Sequence, residues 1–188
     1  MNAGQARSIE NAFILVDPAG DVAFMYLKSH PTPGPESESA VISEGRLPKA
    51  NGLFGTVSAA ICFDTDFPSL IAQAGKIGTD IMLSPASDWN AINPRHTQMA
   101  QFRAIEQGFN LVRQANLGLS AAFDYQGRQL SSMSETQSSD LTLVSEVPVK
   151  GVRTLYSQFG DWFAWLCLGC LALLVSLTRK FRPSSQLA

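Results

Sequence analysis

Residues 57–68 read VSAAICFDTDFP, and this stretch decides how the chain is expected to fold. Its first five residues are small or apolar, which is typical of a buried strand. Cys62 stands at the C-terminal end of that strand, and the acidic, proline-containing segment after it predicts a turn into an amphipathic segment over residues 69–75. A cysteine between a buried strand and a helix is held by backbone on both sides and faces the crevice at the strand ends. Cys62 is therefore a candidate nucleophile, and the alternative is a small buried core cysteine.

Short strands and helices alternate through the middle of the chain, and hairpins stand at both ends, which predicts an α/β fold with layered sheets. The clearest helix spans residues 94–108, with a proline in its first turn and a glycine at its end. Its predicted apolar stripe is Met99, Phe102 and Ile105. Residues 29–50 are rich in Pro, Ser, Glu and Gly and predict a surface loop. The predicted strands are residues 12–16, 22–27, 57–61, 79–84, 111–114, 119–123 and 141–147.

Length and charge set the broad class of protein. A chain of 188 residues usually makes one domain and can bury a sizeable core. Fourteen basic and sixteen acidic side chains leave a formal net charge of −2, so composition gives no reason to expect a nucleic-acid partner.

Residues 162–178 read WFAWLCLGCLALLVSLT and contain no charged residue. This run is near the minimum length that spans a bilayer, and its tryptophans suit the interfacial belt at one end. A basic cluster follows at the other end, which by the positive-inside rule predicts a cytoplasmic C-terminus and a domain on the outer face. The alternative, a buried core helix, fits less well because the run is apolar on all sides. The basic cluster consists of Arg179, Lys180 and Arg182.

The composition shifts divide the chain into four predicted parts. They are a domain over residues 1–152, a linker over residues 153–161, a transmembrane helix over residues 162–178 and a basic, polar tail over residues 179–188.

The remaining cysteines and the histidines offer alternative chemistry. Cys167 and Cys170 have C-x-x-C spacing, but inside an apolar helix with no further ligands nearby in sequence they do not predict a metal site. Cys62 therefore has no obvious disulfide partner. A Cys–His dyad would need His30 or His96, and neither stands in a sequence context that is typical of a cysteine protease.

Two loop residues are candidate partners for the nucleophile. Lys28 ends a predicted strand and Glu36 follows eight positions later. A cysteine nucleophile needs its proton removed and needs a cation or donors for the developing oxyanion. Taken alone, however, Lys28 is typical of a solvated lysine at a strand end, and Glu36 is one of several acids in a loop.

Several motifs together resemble the nitrilase, or carbon–nitrogen hydrolase, superfamily. KSHPTPGPE at residues 28–36 resembles its K-x-H-x-x-P-x-x-E segment, and AICFDTDFP at residues 60–68 resembles its nucleophile strand and elbow. Asp88-Trp89 resembles the segment after the next strand. RAIE at residues 103–106, followed by LVRQAN at residues 111–116, resembles its R-A-x-E helix and the next strand. The resemblance covers roughly residues 10–150 in order and spacing.

The resemblance implies an αββα sandwich with a Glu–Lys–Cys triad. By position, Cys62 corresponds to the nucleophile, Lys28 to the residue that stabilises the tetrahedral intermediate, and Glu36 to a second glutamate that helps position or polarise the site. The elbow implies support from Phe63, whose backbone N–H is a candidate oxyanion donor, and from Asp64. Glu106 and Arg113 correspond to structural supports. No cofactor and no metal are implied.

The end of the chain narrows the resemblance. TLYSQFGDW at residues 154–162, running directly into an apolar span, resembles the apolipoprotein N-acyltransferases. This implies an inner or plasma membrane protein that moves a phospholipid acyl chain, through a cysteine thioester, to the N-terminal amine of a lipoprotein. The partners implied are the membrane, the phospholipid donor and the lipoprotein acceptor, and the sequence leaves a homo-oligomer open.

Two departures from the family's sequence pattern leave other hypotheses about function open. The superfamily's general-base glutamate lies upstream of the lysine strand, and only Glu10 precedes Lys28 here, so no base is assigned. We therefore expect an N-terminally truncated domain, the C-terminal piece of a longer protein. The short polar loop after Glu36 favours a second hypothesis, a membrane-tethered amidase or nitrilase acting on small amides or nitriles. The missing base suggests a third, an inactive truncated domain.

Overall fold

The computed structural model describes residues 9–134 and 142–180. The chain divides into two compact units, Met1–Gln158 and Phe159–Ala188. In chain order the elements are β1 (Ala12–Val16), β2 (Val22–Leu27), α1 (Pro35–Ser39), β3 (Ala50–Gly52), β4 (Gly55–Ala59), a 3₁₀ helix (Cys62–Asp66), α2 (Pro68–Ile77), β5 (Ile81–Ser87), α3 (Arg95–Gln107), β6 (Asn110–Asn116), β7 (Leu119–Phe123), β8 (Gln129–Ser134), α4 (Leu155–Phe159) and α5 (Trp162–Lys180).

The larger sheet has six strands in the order β3-β4-β5-β6-β7-β8. Strands β4, β5 and β6 pair in parallel, and the remaining pairs are antiparallel. Parallel neighbours need a crossover, which α2 and α3 provide between successive strands. The predicted α/β class is confirmed, because this is a mixed sheet with helices in the crossovers. The carboxyl ends of β4 and β5, where the candidate nucleophile was predicted, lie side by side.

Strands β1 and β2 form a separate antiparallel hairpin, as the sequence predicts. The Asp17 side chain accepts hydrogen bonds from the main-chain N–H groups of Ala19 and Asp21, which closes the turn. At the other end of β2, Tyr26 is 3% exposed and its hydroxyl donates to Asp64 over 2.8 Å. This contact joins the end of the hairpin to the segment that carries Cys62.

Strand β5 runs further than predicted, through Pro85 to Ser87. It continues because β4 pairs with β5 only as far as Leu83, whereas β6 pairs with it to the end. The missing N–H of Pro85 therefore costs no hydrogen bond to β4. Strands β3 and β8, at the two edges of the sheet, were not predicted.

The predicted strand over residues 141–147 is wrong for the residues that the structure describes, since residues 142–147 belong to no strand. Leu141 lies outside the described residues. Residues 142–147 alternate between exposed and half-buried. One face of this extended segment is therefore partly covered although it pairs with no strand.

Helix α3 forms where predicted and ends at Gly108 in a left-handed conformation with φ of 78°. The predicted apolar stripe is wrong as a buried face, because Met99, Phe102 and Ile105 are 45%, 60% and 38% exposed. The buried face is made mainly of smaller or polar residues. Small side chains let a helix approach its sheet closely, so shape complementarity and not apolar character selects this face. The buried residues of α3 are His96, Thr97, Ala100, Ala104 and Gln107.

The predicted surface loop over residues 29–50 contains the short helix α1 and several buried side chains. Ser29 and Leu47 are 7% and 8% exposed. The segment therefore covers the core near Cys62 and is not entirely on the surface.

The second unit contains α5, which is apolar and long enough to cross a membrane, with a mean hydropathy of 1.7 in its most apolar window. At 1.5 Å per residue, its 19 residues span about 28 Å, close to the thickness of a hydrocarbon core of about 30 Å. The length and apolar composition of α5 support a membrane span. The polar tail beyond residue 180, including Arg182, lies outside the described residues.

Candidate active site

Cys62 lies three residues after the end of β4 and opens the 3₁₀ helix. Its φ of 50° is in the left-handed region, which a residue with a Cβ rarely adopts. The thiol is 8% exposed, and its Sγ lies 3.8 Å from the main-chain oxygen of Ser87 at the end of β5. A sharp backbone turn therefore presents the sulfur at the carboxyl ends of two parallel strands, as a nucleophile elbow does.

Lys28 and Glu36 form an ion pair at the edge of a cavity. Lys28 Nζ donates to Glu36 Oε2 over 2.7 Å and to Thr32 Oγ1 over 3.1 Å. Glu36 also accepts hydrogen bonds from the Asn11 side chain and the Thr32 main chain, each over 2.8 Å. Burial alone would raise the pKa of Glu36, but these hydrogen bonds and the Lys28 charge lower it to about 2. Glu36 is therefore a carboxylate at neutral pH.

The structure brings Cys62, Lys28 and Glu36 to one cavity of about 410 Å³. Asn11 and Ser87 also line it, so its wall is partly polar. We call it the polar cavity. Cys62 is distant in sequence from Lys28 and Glu36, and the fold brings the three to one cavity, as a shared site for acyl transfer to sulfur would need. Their catalytic roles stay predictions.

Asp64, the predicted elbow support, is fully buried. Its carboxylate accepts hydrogen bonds from the main-chain N–H groups of Ser29, His30 and Ile61, and from the Tyr26 hydroxyl. Burial and the charge of Asp64 raise the pKa of Tyr26. Asp64 thus ties the residues next to Lys28 to the residue before Cys62.

A second cavity, of about 570 Å³, adjoins Cys62. We call it the apolar cavity because most of its wall is hydrophobic. Phe63 is part of the wall, and its ring packs edge-on against Phe67 with centroids 5.1 Å apart. Cys62 therefore faces a polar space with a lysine and an apolar space with aromatic walls. The apolar lining residues are Pro33, Phe63, Trp89, Ala91, Ile92 and Met99.

Four charged side chains form a buried network that the sequence analysis missed, which we call the charge cluster. His96 Nδ1 lies 2.7 Å from Asp88 Oδ1, and His96 Nε2 lies 3.2 Å from Asp66 Oδ1. Arg113 Nη2 donates to Asp88 Oδ1 over 3.2 Å. Each basic group therefore contacts a carboxylate, and the Arg113 guanidinium also lies 2.9 Å from His96 Nδ1. Sequence offered only weak signals, a histidine in the first turn of a helix and acids after two strands.

The ionisation of the charge cluster follows from these contacts. Burial would raise the pKa of Asp88, but the bond to His96 and the charge of Arg113 lower it. Burial would lower the pKa of His96, and Arg113 acts in the same direction, but the adjacent carboxylates of Asp66 and Asp88 raise it overall. The geometry therefore favours His96 as an imidazolium between two carboxylates.

Cys62, Asp88 and His96 carry metal-ligand atom types within 4.8 Å of one another. However, the Asp88 and His96 atoms already bind each other, and the Arg113 guanidinium donates to Asp88 and lies 2.9 Å from His96 Nδ1. A fixed positive charge in that place would repel a metal cation. We therefore assign Asp88 and His96 to the charge cluster and not to a metal centre.

The two predicted supports stand in different surroundings. Arg113 is completely buried in the charge cluster, where it also donates to Ser84 Oγ and Thr97 Oγ1. Glu106 pairs with Arg103 over 2.8 Å on α3, and its main-chain oxygen accepts a hydrogen bond from Thr154. Glu10, which was not assigned as a base, is exposed and precedes β1.

Comparisons with known proteins agree on one family. A family model described as carbon-nitrogen hydrolase matches residues 2–156. The chain is 29% identical over 137 residues to apolipoprotein N-acyltransferase of Shewanella oneidensis, covering 71% of this chain and 26% of that protein. It is 36% identical over 129 residues to apolipoprotein N-acyltransferase of Rhodopseudomonas palustris, covering 66% and 23%. The chain thus spans about a quarter of the length of the curated relatives it matches.

Solved structures agree on the fold. Saccharomyces cerevisiae Nit3, a member of the nitrilase superfamily, has a TM-score of 0.62 and 22% identity, covering 68% of this chain and 50% of that one. An amidase from Nesterenkonia sp. has a TM-score of 0.60 and 22% identity, covering 65% and 50%. At these identities the likeness concerns the fold alone.

Proposed function

Because this chain belongs to the carbon–nitrogen hydrolase family, we propose that it acts as a cysteine acyl-transfer enzyme of the apolipoprotein N-acyltransferase kind. One observation carries the proposal: Cys62 stands between the polar cavity with its Lys28–Glu36 pair and the apolar cavity with its aromatic wall. An enzyme that moves a hydrophobic acyl group needs both, a charged site for the chemistry and an apolar space for the chain.

In the proposed reaction, Cys62 Sγ attacks the carbonyl carbon of a phospholipid ester. The C–S bond forms, the C–O bond to the glycerol breaks, and the released alcohol takes the proton. The amine of a lipoprotein N-terminus then attacks the thioester, the C–N bond forms and the C–S bond breaks, so that the thiol is regenerated. Each step passes through a tetrahedral intermediate with a negative oxygen.

Lys28 is proposed to stabilise that oxygen. Its ammonium is nearly fully buried, and a charge in a dry site acts more strongly than one in water. Glu36 balances this buried charge and, with Thr32, fixes where the ammonium points. The main-chain N–H of Phe63 is proposed as a second donor to the oxyanion, and Asp64 as the support that holds the elbow.

Three observations support the lipid substrates and the location. The relatives that match are named apolipoprotein N-acyltransferases, the apolar cavity adjoins the nucleophile, and α5 is long and apolar enough to cross a membrane. Arg179 and Lys180 end that helix, which supports a cytoplasmic C-terminus and a catalytic domain on the outer face of the inner or plasma membrane. The partners proposed are therefore a phospholipid donor, a lipoprotein acceptor and the membrane.

A second candidate uses water as the acceptor, in a membrane-tethered amidase or nitrilase. The polar cavity favours it, since Lys28, Glu36 and Asn11 would bind a small polar substrate and admit water. The same thioester would form, and water would release it as an acid.

The decisive experiment is a search for the acyl thioester on Cys62. The full 188-residue chain in phospholipid vesicles would be digested and analysed by mass spectrometry with and without hydroxylamine, which cleaves thioesters. We expect an acyl adduct on the Cys62 peptide that hydroxylamine removes and that Cys62→Ser lacks. Transfer to a diacylglyceryl-cysteine peptide with a free N-terminus, but not to its N-acetylated form, would support the acyltransferase. Absence of the adduct, with ammonia released from small amides, would instead support the hydrolase.

A further inference from the structure

His96 is 5% exposed and stands between two acids from different parts of the fold. Asp66 ends the 3₁₀ helix that Cys62 opens, and Asp88 follows β5. Neither His96 Nε2 nor Asp66 Oδ1 has a hydrogen bond of good geometry within the described part of the chain, although the two atoms are 3.2 Å apart. The two buried atoms thus face each other as an ion pair.

The same histidine is a neighbour of the nucleophile. A ring nitrogen of His96 and a carboxylate oxygen of Asp88 both lie within 4.8 Å of Cys62 Sγ. His96, Asp66 and Cys62 also line the apolar cavity together. The charge cluster therefore adjoins Cys62 at a different cavity from the one that the Lys28–Glu36 pair lines.

Charge balance shows what His96 does at this place. A Cys62 thiolate would lie within 4.8 Å of an Asp88 carboxylate oxygen, and Asp66 lines the same cavity, so that three negative charges would repel one another. Arg113 neutralises one carboxylate, and a protonated His96 neutralises the other. We propose that His96, as an imidazolium, is a further positioning residue that allows the Cys62 thiolate to form beside these two carboxylates. The inference rests on the proposed role of Cys62 as the nucleophile.

The other elements packed against α3 add little charge near His96. Strand β7 contains no titratable residue, and the only titratable residue of α2 is Lys76, in the last turn of that helix. Strand β6 contributes Arg113, which is already counted. On α3 itself, the neighbouring Arg95 also lines the apolar cavity and is exposed. The raised pKa of His96 agrees with a cation that persists into the neutral range.

The pH dependence of Cys62 alkylation tests the proposal directly. The full chain in detergent would carry Cys167→Ala and Cys170→Ala, so that Cys62 is the only thiol. Its reaction with iodoacetamide would be followed by mass spectrometry between about pH 5 and 9, a range in which histidine titrates. We expect the rate to rise in two steps, first as the ion-paired thiolate forms and then as His96 loses its proton.

His96→Gln removes the charge and keeps a polar side chain. We expect its alkylation rate near pH 6.5 to fall about tenfold, which corresponds to a rise of one unit in the apparent pKa of the alkylation profile. The profile should also become a single step at higher pH. His30→Gln is the matched control, since His30 stacks on Phe67 and pairs with Asp64, not with the charge cluster. It should keep both steps. A His96→Gln profile that superimposes on the parent would overturn the proposal.

Asp66→Asn keeps the test valid if His96→Gln fails to fold. It removes one of the two carboxylates that favour the imidazolium, so the upper step should move to lower pH. An upper step that stays in place in Asp66→Asn would also overturn the proposal. Because iodoacetamide replaces the substrate, these outcomes are independent of whether the protein transfers acyl chains or hydrolyses amides.

Discussion

The ammonium of Lys28 lies 2.7 Å from the carboxylate of Glu36, and Lys28 is only 3% exposed. Lys28 follows β2 and Glu36 is in α1, so the loop between them folds back over its own first residue. The contacts with Glu36 and Thr32 hold the buried ammonium in one position. The first two predictions follow from this pair.

Lys28→Met should leave the fold in place and slow acylation of Cys62. The methionine keeps most of the length of the stem but cannot stabilise a negative oxygen. Removing one oxyanion donor typically costs about 10²–10³-fold in rate, and we expect a loss of that size in thioester formation. Lys76→Met, an exposed lysine on α2, is the matched control and should react at the parent rate. Equal rates for the two variants would remove Lys28 from the proposed mechanism.

Glu36 should make the stability of the protein depend on acidic pH. Its pKa is lowered from 4.5 to about 2, so its stabilising contribution is fully present above about pH 4.5 and is lost as the pH falls towards 2. Glu36→Gln lacks this titration. We expect the parent to lose on the order of 1 kcal/mol more than the variant between pH 5 and 3, by urea unfolding in detergent. Parallel losses in both proteins would contradict the ion pair.

Arg113→Met should destabilise the protein strongly, because it leaves the Asp88 carboxylate buried without its guanidinium. Breaking a buried pair in this way typically costs about 3–5 kcal/mol. Arg128→Met is the control, since the Arg128 side chain is 72% exposed and its pair with Asp124 should be worth less than about 1 kcal/mol. Adding Asp88→Asn to Arg113→Met should recover part of the loss, and an additive double variant would argue against direct coupling.

Cys62→Gly should be at least as stable as Cys62→Ala, although glycine normally lowers stability. A left-handed conformation costs a residue with a Cβ about 1–2 kcal/mol, and glycine escapes that cost. At Ala59, in β4, the change to glycine should cost the usual 0.5–1 kcal/mol or so. Thermal unfolding of the three variants measures the contrast. A Cys62→Gly variant that is clearly less stable than Cys62→Ala would mean that the backbone at the elbow is unstrained.

Much of the fold was predictable because its signals are local. The apolar run before Cys62, the breakers between β1 and β2, and the glycine that ends α3 each act within a few residues. Edge strands β3 and β8 were missed because β3 has only three residues and β8 has a weak apolar pattern. The prediction from Met99, Phe102 and Ile105 failed for a different reason, because the helix face that packs on the sheet is the one with the smaller side chains.

The sequence by itself determined that a cysteine follows a buried strand, that Lys28 and Glu36 stand eight residues apart in the preceding loop, and that an apolar helix lies near the C-terminus. These are properties of neighbouring residues, which backbone geometry and composition control. Only the tertiary structure decided that Asn11 binds Glu36 and that the charge cluster lies next to Cys62. The residues of the cluster come from four separate parts of the chain, and folding offsets the two basic groups, which lie 2.9 Å apart, with the two carboxylates. These residues are Asp66, Asp88, His96 and Arg113.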